Sequence, residues 1–271
     1  MTADAEYLRR IAYTGPTAPT FDVLTALVAA HNRSIPFENL DPLMGVPVVD
    51  LRPDALVDKL VRRRRGGYCF EHNGVMAEML ARLGFGVEIL GGRVIWMNTS
   101  GQLPAKTHMT LAVTVPDDGG RYLVDVGFGG QTLSSPIRFE TDTVAQTRHE
   151  PYRIREHDAG YVLQSSIRDS WEPLYLFNTE PFPMIDRQVG SWYVSTFPES
   201  HFVSGLTAAL VTDDARWNLR GRNLAIHRKG DSERIRFDTA AQVVDALTDR
   251  FGIDLTGLGD VEARVSQVLD S

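Results

Sequence analysis

The chain has 271 residues, of which 43% are hydrophobic and 23% are charged, a composition typical of a folded globular protein with a substantial core. Its formal net charge of −7 argues against nucleic acid as the main partner, because phosphate binding requires a basic surface. The length exceeds the usual size of one hydrophobic core, so two or three subdomains are predicted.

Cys69 is the single cysteine of the chain, which excludes an internal disulfide and a metal site made of cysteines alone. No stretch approaches the roughly 20 apolar residues that a membrane-spanning helix needs. The first ten residues, MTADAEYLRR, lack the apolar segment of a secretory signal. We therefore expect a cytoplasmic protein that has neither a membrane nor a nucleic acid as its partner.

The first third of the sequence is predicted to be helical. Behind Thr20, a suitable N-cap, apolar residues recur at helical spacing. A second helix is predicted for PDALVDKLVRRRR, with proline in its first turn. A third helix follows the Gly66-Gly67 break and ends at Gly84.

From Gly86 onward the sequence shows β-strand patterns. The segments VEILGGRVIWM, HMTLAVTV and RYLVDVGF are separated by turn residues, and Gly119-Gly120 behind two aspartates indicates a hairpin turn. A series of short antiparallel strands, continuing to about residue 178, predicts a small barrel or sandwich. Residues 182–197 are predicted to form an irregular helical connection, and the last part is predicted to alternate strands, such as LTAALVT, with helices.

Cys69 lies in the motif RRGGYCFEHN, at the start of the third predicted helix. The positive end of the helix macrodipole favours a thiolate at this place, and the thiolate is the reactive form of cysteine. Cys69 is therefore a candidate nucleophile. The alternative is a buried structural cysteine, which is a common use of this residue type.

A thiolate nucleophile needs a base, and the base needs a group that orients it. His108 opens the strand HMTLAV, and Asp125 closes the next strand, YLVDVG. The start of the first hairpin strand lies beside the end of the second, so these two side chains are predicted to meet. His72 shares the helix of Cys69, but an opposing strand supplies the partner of a cap cysteine better. A half-buried histidine and a turn-capping carboxylate are the alternatives for His108 and Asp125.

A run of four arginines, Arg62 to Arg65, precedes the Gly-Gly break. We interpret it as a solvated helix face with one or two ion pairs. Glu38, in the upstream loop, is predicted to pair with Arg64 or Arg65 and so to hold the Gly-Gly turn.

Four segments together resemble a known family. RRGGYCFEHN, THMTLAV and YLVDVGFGG, with IPFENLDPL upstream, are similar to motifs of the arylamine N-acetyltransferases. The similarity runs from about Tyr7 to Ile137 and more loosely to the C-terminus. It implies a multi-part α+β fold with a papain-like Cys–His–Asp arrangement where the first two parts meet. The implied parts are an N-terminal helical bundle (1–84), a central antiparallel β-barrel (85–181), an interdomain helical connection (182–200) and a C-terminal α/β lid (201–271).

The resemblance also implies a ping-pong reaction. Cys69 would take the acetyl group from acetyl-CoA, with His108 as the base and Asp125 as its orienting group, and pass it to the amine nitrogen of an arylamine, arylhydrazine or hydrazide. No metal is implied. The residues implied to border the cofactor and the acetyl group are Thr107, Gly127, Phe128 and Gly129. The residues implied to line the amine pocket are Phe37, Phe128 and Phe202.

Three alternative functions stay open on the sequence. One is an amide synthase or an acyltransferase that uses a different acyl thioester on the same fold. The second is a cysteine hydrolase, and the third is a binding module in which Cys69 is structural. Coenzyme A release that depends on an amine distinguishes the transferase from the others. The sequence does not define the oligomeric state, and a homodimer is one option.

Overall fold

The computed structural model describes residues 2–158, 160–229 and 231–269, so the predicted domain ends at residues 1 and 271 lie outside the described residues. Helices precede and follow the central strands. The preceding helices are α1 (Ala3–Arg10), α2 (Phe21–Ser34), α3 (Leu40–Leu43), α4 (Pro53–Val57) and α5 (Cys69–Arg82). The following helices are α6 (Met184–Thr196), α7 (His201–Ser204), α8 (Ala240–Asp249) and α9 (Val261–Leu269). Within the described ranges, none of the helices is both long and apolar enough to cross a membrane.

The local signals for helix ends act largely as predicted. The Thr20 hydroxyl accepts a hydrogen bond from the Val23 N–H at 3.3 Å, so the N-cap of α2 is confirmed. Gly84 follows α5 with a φ of +93°, a backbone conformation that glycine adopts without strain. The prediction of one regular helix for PDALVDKLVRRRR is wrong in the second half of this segment. There α4 continues into a π-helical turn, Asp58–Arg62.

Eight antiparallel strands form a nearly closed barrel in the order β5-β4-β3-β2-β9-β8-β7-β6. Their bounds are β2 (Gly86–Val94), β3 (His108–Thr114), β4 (Arg121–Val124), β5 (Ile137–Arg138), β6 (Val144–Ala145), β7 (Tyr152–His157), β8 (Gly160–Ile167) and β9 (Ser170–Pro181). The pairing of Leu111 with Val124 sets the register of the β3–β4 hairpin. This register brings the start of β3 to the end of β4.

The second sheet joins a piece of the N-terminal region to the C-terminal strands, in the order β1-β10-β11-β12-β13. Its strands are β1 (Phe37–Glu38), β10 (Thr207–Val211), β11 (Ala215–Arg220), β12 (Asn223–Arg228) and β13 (Asp231–Arg236). The predicted alternation of strands and helices is wrong here, because four consecutive antiparallel strands precede α8 and α9. Strand β11 was not predicted, because its sequence, ARWNLR, is polar. Arg216 in this strand is nevertheless buried, with 1% exposure.

Side chains on the two faces of β3 enter different cores. Met109, Leu111 and Val113 pack with buried residues of α1, α2 and α5. Ala112, on the opposite face, joins the core inside the barrel. Because strand side chains alternate, His108 lies on the same face as Ala112. The first residue of β3 therefore points to the barrel interior at the end nearest α5.

Candidate active site

Cys69 lies at the first turn of α5, where the chain turns sharply into the helix. The Glu71 carboxylate accepts a hydrogen bond from the Tyr68 N–H at 3.1 Å and closes the helix start. A Cβ on Gly67 would lie 2.4 Å from a Glu71 carboxylate oxygen, which explains why glycine precedes Tyr68. Cys69 is 6% exposed, and its Sγ lies 3.6 Å from the Thr107 carbonyl oxygen. The sulfur is thus held at the junction of α5 and the barrel.

The structure brings His108 and Asp125 together at the end of the β3–β4 hairpin. The His108 Nε2–H donates to Asp125 Oδ2 at 2.7 Å, and the two side chains are 2% and 0% exposed. The Cys69 side chain lies close enough to the His108 ring to raise the pKa of the imidazole. Because Asp125 occupies Nε2, the nitrogen that remains for Cys69 is Nδ1. The three side chains therefore lie together at the junction of α5 and the barrel.

Opposing effects set the protonation of His108. Burial alone would lower the pKa of the imidazole, but the charge and hydrogen bond of Asp125, together with Cys69, raise this pKa to about 10. The ring therefore keeps its second proton at neutral pH. An imidazolium beside a sulfur stabilises the thiolate form.

Asn73 holds Asp125 in place, and Tyr175 packs against His108. The Asn73 Nδ2 donates to Asp125 Oδ1 at 2.9 Å and to the Met109 carbonyl at 2.7 Å. The Gly127 N–H donates to the same Oδ1 at 2.9 Å. Tyr175 reaches the site from β9, where its ring centroid lies 4.5 Å from that of His108. Asp125 is therefore oriented by the helix that carries Cys69 as well as by its own loop.

Sequence reasoning missed both Asn73 and Tyr175. Asn73 stands four residues after Cys69, so both residues lie on one face of α5, and this spacing could have identified it. Tyr175 lies in a strand 50 positions beyond Asp125, and nothing local to its sequence indicates the contact.

Two other predicted contacts have clear outcomes. Glu38 pairs with Arg65, whose Nη2 lies 2.8 Å from Glu38 Oε1, so the predicted ion pair is confirmed and Arg64 is not the partner. A Cβ on Gly66 would meet the Pro36 carbonyl at 2.0 Å and the Glu38 Cγ at 2.7 Å. Glu38 therefore packs directly against the Gly-Gly turn, as predicted.

The residues predicted to border the cofactor surround the same junction. Thr107 precedes His108 and is half-buried, and the Phe128 ring lies edge-on to His108 with centroids 5.2 Å apart. Gly127 and Gly129 are buried. A Cβ on Gly127 would lie 2.7 Å from the Cys69 Cα, so this glycine lets the loop pack against the start of α5.

Two of the three residues predicted to line the amine pocket, Phe37 and Phe202, form an aromatic group with Tyr68, whereas the Phe128 ring packs against His108 and Tyr175. The Phe202 ring lies 6.0 Å from Phe37 and 5.3 Å from Tyr68, measured between centroids. Phe37 also faces Gly129, where an added Cβ would lie 3.5 Å from its ring. Three elements distant in sequence thus contribute to this aromatic group, and Phe37 lies beside the loop that contains Phe128.

Gly127→Ala tests the packing of the loop on α5. The added methyl group would meet backbone atoms of Cys69, which move only if the loop or the helix start moves. A displacement of about 1 Å can cost about a hundredfold in rate, so we expect a loss of this size in kcat/KM for coenzyme A release. Gly205→Ala is the control, because its Cβ would meet only the His201 carbonyl at 3.6 Å. Equal effects of both substitutions would contradict the packing argument.

Comparisons with known proteins agree with one another. The N-acetyltransferase family profile matches residues 20–260. An arylamine N-acetyltransferase of Mycolicibacterium smegmatis is 63% identical over 268 residues, which are 98% of each chain. A solved structure of the M. smegmatis enzyme is 62% identical with a TM-score of 0.97 and covers 100% of both chains. The structure of Mycobacterium marinum arylamine N-acetyltransferase in complex with CoA is 57% identical with a TM-score of 0.95, over 97% of this chain and 98% of that one.

Proposed function

The chain belongs to the arylamine N-acetyltransferase family, and we propose on that basis that Cys69 carries an acetyl group from acetyl-CoA to the nitrogen of an arylamine, arylhydrazine or hydrazide. It is an acyltransferase, so the proposal concerns the residues and the order of the steps. The supporting observation is the 2.7 Å contact between His108 Nε2 and Asp125 Oδ2, which leaves the Nδ1 atom of the ring free to serve Cys69.

In the first half-reaction the Cys69 thiolate attacks the carbonyl carbon of acetyl-CoA. A new carbon–sulfur bond forms at Cys69 while the bond to the sulfur of coenzyme A breaks, and the leaving thiolate takes the proton from His108 Nδ1. One thioester replaces another, so little free energy is lost and the acetyl group stays reactive. His108 is left as a neutral imidazole whose free Nδ1 is an acceptor.

In the second half-reaction the amine attacks the acetyl-Cys69 carbonyl. The nitrogen forms the amide bond and loses a proton to His108 Nδ1, and Cys69 leaves as a thiolate. This step restores the imidazolium–thiolate pair. An aromatic amine, an arylhydrazine or a hydrazide is unprotonated at neutral pH and can attack, whereas an alkylamine is mostly ammonium.

The aromatic group of Phe37, Tyr68 and Phe202 suits a flat apolar ring, which is the part that aromatic acceptors share. In the proposed division, the helical bundle (1–84) carries Cys69 and the barrel (85–181) carries His108 and Asp125. The connection (182–200) and the lid (201–271) complete the proposed architecture and bring Phe202 to the acceptor side. Thr107 and the loop from Gly127 to Gly129 are proposed to border coenzyme A. The proposed location is the cytoplasm, where thiols stay reduced.

The intact mass of the protein after treatment with acetyl-CoA alone tests the proposal. We expect one acetyl group on the wild-type chain and none on Cys69→Ala, because no other residue of the triad forms the thioester. Adding an aromatic amine should then remove the acetyl group and give the amide. Continued coenzyme A release without an amine, beyond the one equivalent set free when Cys69 is acetylated, would instead indicate a hydrolase. Acetylation of Cys69→Ala to the same extent would contradict the role of Cys69.

A further inference from the structure

A chain of buried hydrogen bonds runs from α1 to the residue before Phe37. The Tyr7 hydroxyl lies 2.8 Å from His31 Nδ1, and His31 Nε2 lies 2.8 Å from His72 Nδ1. His72 Nε2 lies 3.1 Å from the Pro36 carbonyl oxygen. Tyr7, His31 and His72 are each at most 1% exposed. The chain thus connects α1, α2 and α5 to the loop that leads into β1.

The chemistry of the end group fixes the direction of every bond. The Pro36 carbonyl only accepts, so His72 Nε2 carries the proton and donates. Burial lowers the pKa of His72 to about 4 and the pKa of His31 well below its usual 6.5, so both rings are neutral. His72 Nδ1 then accepts from His31 Nε2–H, and His31 Nδ1 accepts from the Tyr7 hydroxyl. All donors point toward Pro36.

The last member of the chain holds Phe37 in two ways. The His72 ring is stacked on the Phe37 ring with centroids 6.3 Å apart and an interplanar angle of 20°. The carbonyl that His72 binds belongs to the residue directly before Phe37. On the other side of the segment, the Glu38 N–H donates to the Gly67 carbonyl at 2.8 Å. The backbone around Phe37 is therefore fixed from both sides.

His72 is close to Cys69 in sequence but not in its contacts. It stands three residues later on α5, and its ring nitrogens bond to His31 and Pro36. The His108 ring contacts Asp125, Cys69, Phe128 and Tyr175. The hydrogen-bond network therefore ends beside Phe37, a member of the aromatic group. It does not include His108 or Cys69, the side chains proposed to transfer protons.

We propose that Tyr7, His31 and His72 are positioning residues that set the Phe37 ring, and that they control the second half-reaction for acceptors that carry an aromatic ring. This inference rests on the proposed function, in which Phe37 lines the acceptor pocket. The first half-reaction, which involves only acetyl-CoA and the triad, does not depend on this hydrogen-bond network. The rate with a small acceptor that has no ring does not depend on the network either.

His72→Leu tests the inference with two acceptors that share a nucleophilic nitrogen, phenylhydrazine and hydrazine. We expect kcat/KM for phenylhydrazine to fall about tenfold, the scale of one lost buried hydrogen bond. The values of kcat/KM for acetyl-CoA and for hydrazine should stay unchanged, a separation that general loss of structure would not produce. His72→Gln keeps a donor toward Pro36 and should recover most of the loss.

Tyr7→Phe is the second variant, because it removes one hydroxyl at the far end of the chain and preserves the shape of the core. It should also lower kcat/KM for phenylhydrazine, but by less than His72→Leu does. If His72→Leu does not fold, Tyr7→Phe alone tests the inference. The inference is overturned if the folded variants leave the phenylhydrazine value unchanged, or lower all three values equally. A wild-type enzyme that never forms acetyl-Cys69 would instead contradict the proposed function.

Discussion

Asp125→Asn should lower kcat/KM by about 10⁴-fold, the scale of the same substitution in a Ser–His–Asp triad. The reason is the proton on His108. Asp125 Oδ1 accepts from Asn73 Nδ2 and from the Gly127 N–H, both at 2.9 Å. An asparagine keeps these two bonds only with its carbonyl oxygen in that place, which turns its NH₂ group toward His108 Nε2.

The reversed bond changes the tautomer of the imidazole. Nε2 must then accept, so the single proton of the neutral ring moves to Nδ1, which faces Cys69. A ring protonated there cannot take the proton of the thiol or of the incoming amine. The loss of the carboxylate also removes the main cause that raises the pKa of His108 to about 10. The pKa measured by NMR titration of His108 should therefore fall.

The measurement is the initial rate of coenzyme A release with an aromatic amine, together with thermal unfolding to show that the variant is folded. Asp117→Asn is the matched control, because Asp117 lies exposed in the hairpin turn of the same two strands and should have wild-type activity. A folded Asp125→Asn protein that kept most of its activity would show that the carboxylate does not orient the base.

The hairpin that joins His108 to Asp125 could be predicted because it depends on short-range facts. Strand ends, a turn at Gly119 and the antiparallel register suffice to bring the two side chains to one end of the sheet. The Thr20 cap was equally local. Family resemblance then supplied the order of the parts, which composition and periodicity leave open between a barrel and a sandwich.

The remaining features depend on packing between distant segments. Tyr175 reaches His108 because β9 pairs with β2 in the nearly closed barrel. Strand β11 contains Arg216, whose guanidinium contacts Glu150 and the carbonyls of Gly130 and Thr132. An arginine with such partners is buried although its residue type is usually exposed. The sequence pattern of β11 therefore resembled a surface segment.

The four arginines from Arg62 to Arg65 also show that burial cannot be predicted from local sequence. Arg63 is 57% exposed in its side chain and pairs with Asp58, whereas the Arg65 side chain is 3% exposed. The π-helical turn ends at Arg62, directly before these residues, and Arg64, between the two arginines, has a positive φ of 51°. Helical periodicity does not predict either feature, so the sequence could not say which arginine points inward.

Arg65→Met should destabilise the fold by about 3–5 kcal/mol, the usual cost of removing one partner from a buried ion pair. Arg65 donates to Glu38 Oε1 through Nε at 3.0 Å and through Nη2 at 2.8 Å, and to Asp41 at 2.9 Å. Lys59 binds Asp41 and Glu71 and does not replace these bonds. The substitution therefore leaves the Glu38 carboxylate, which is fully buried, without its cation.

Urea unfolding followed by circular dichroism gives the free energy of unfolding for each variant. Arg63→Met, the same change two positions earlier, should shift this free energy by no more than about 0.5 kcal/mol, since exposed ion pairs contribute little. If both substitutions lowered the free energy of unfolding by similar amounts, the burial of Arg65 would not explain its effect. Any arginine removed from this segment would then have the same effect.

The double variant Glu38→Gln with Arg65→Met separates an unpaired charge from lost packing. If the cost of Arg65→Met arises from a carboxylate left in the core, then removing that charge should restore part of the stability, although a second bond is lost. Leu40 N–H donates to Glu38 Oε2, and a glutamine oxygen can still accept this bond. A double variant less stable than Arg65→Met would show that the guanidinium acts by filling space. Partial recovery would show that Arg65 stabilises the Gly-Gly turn before Cys69 by neutralising Glu38.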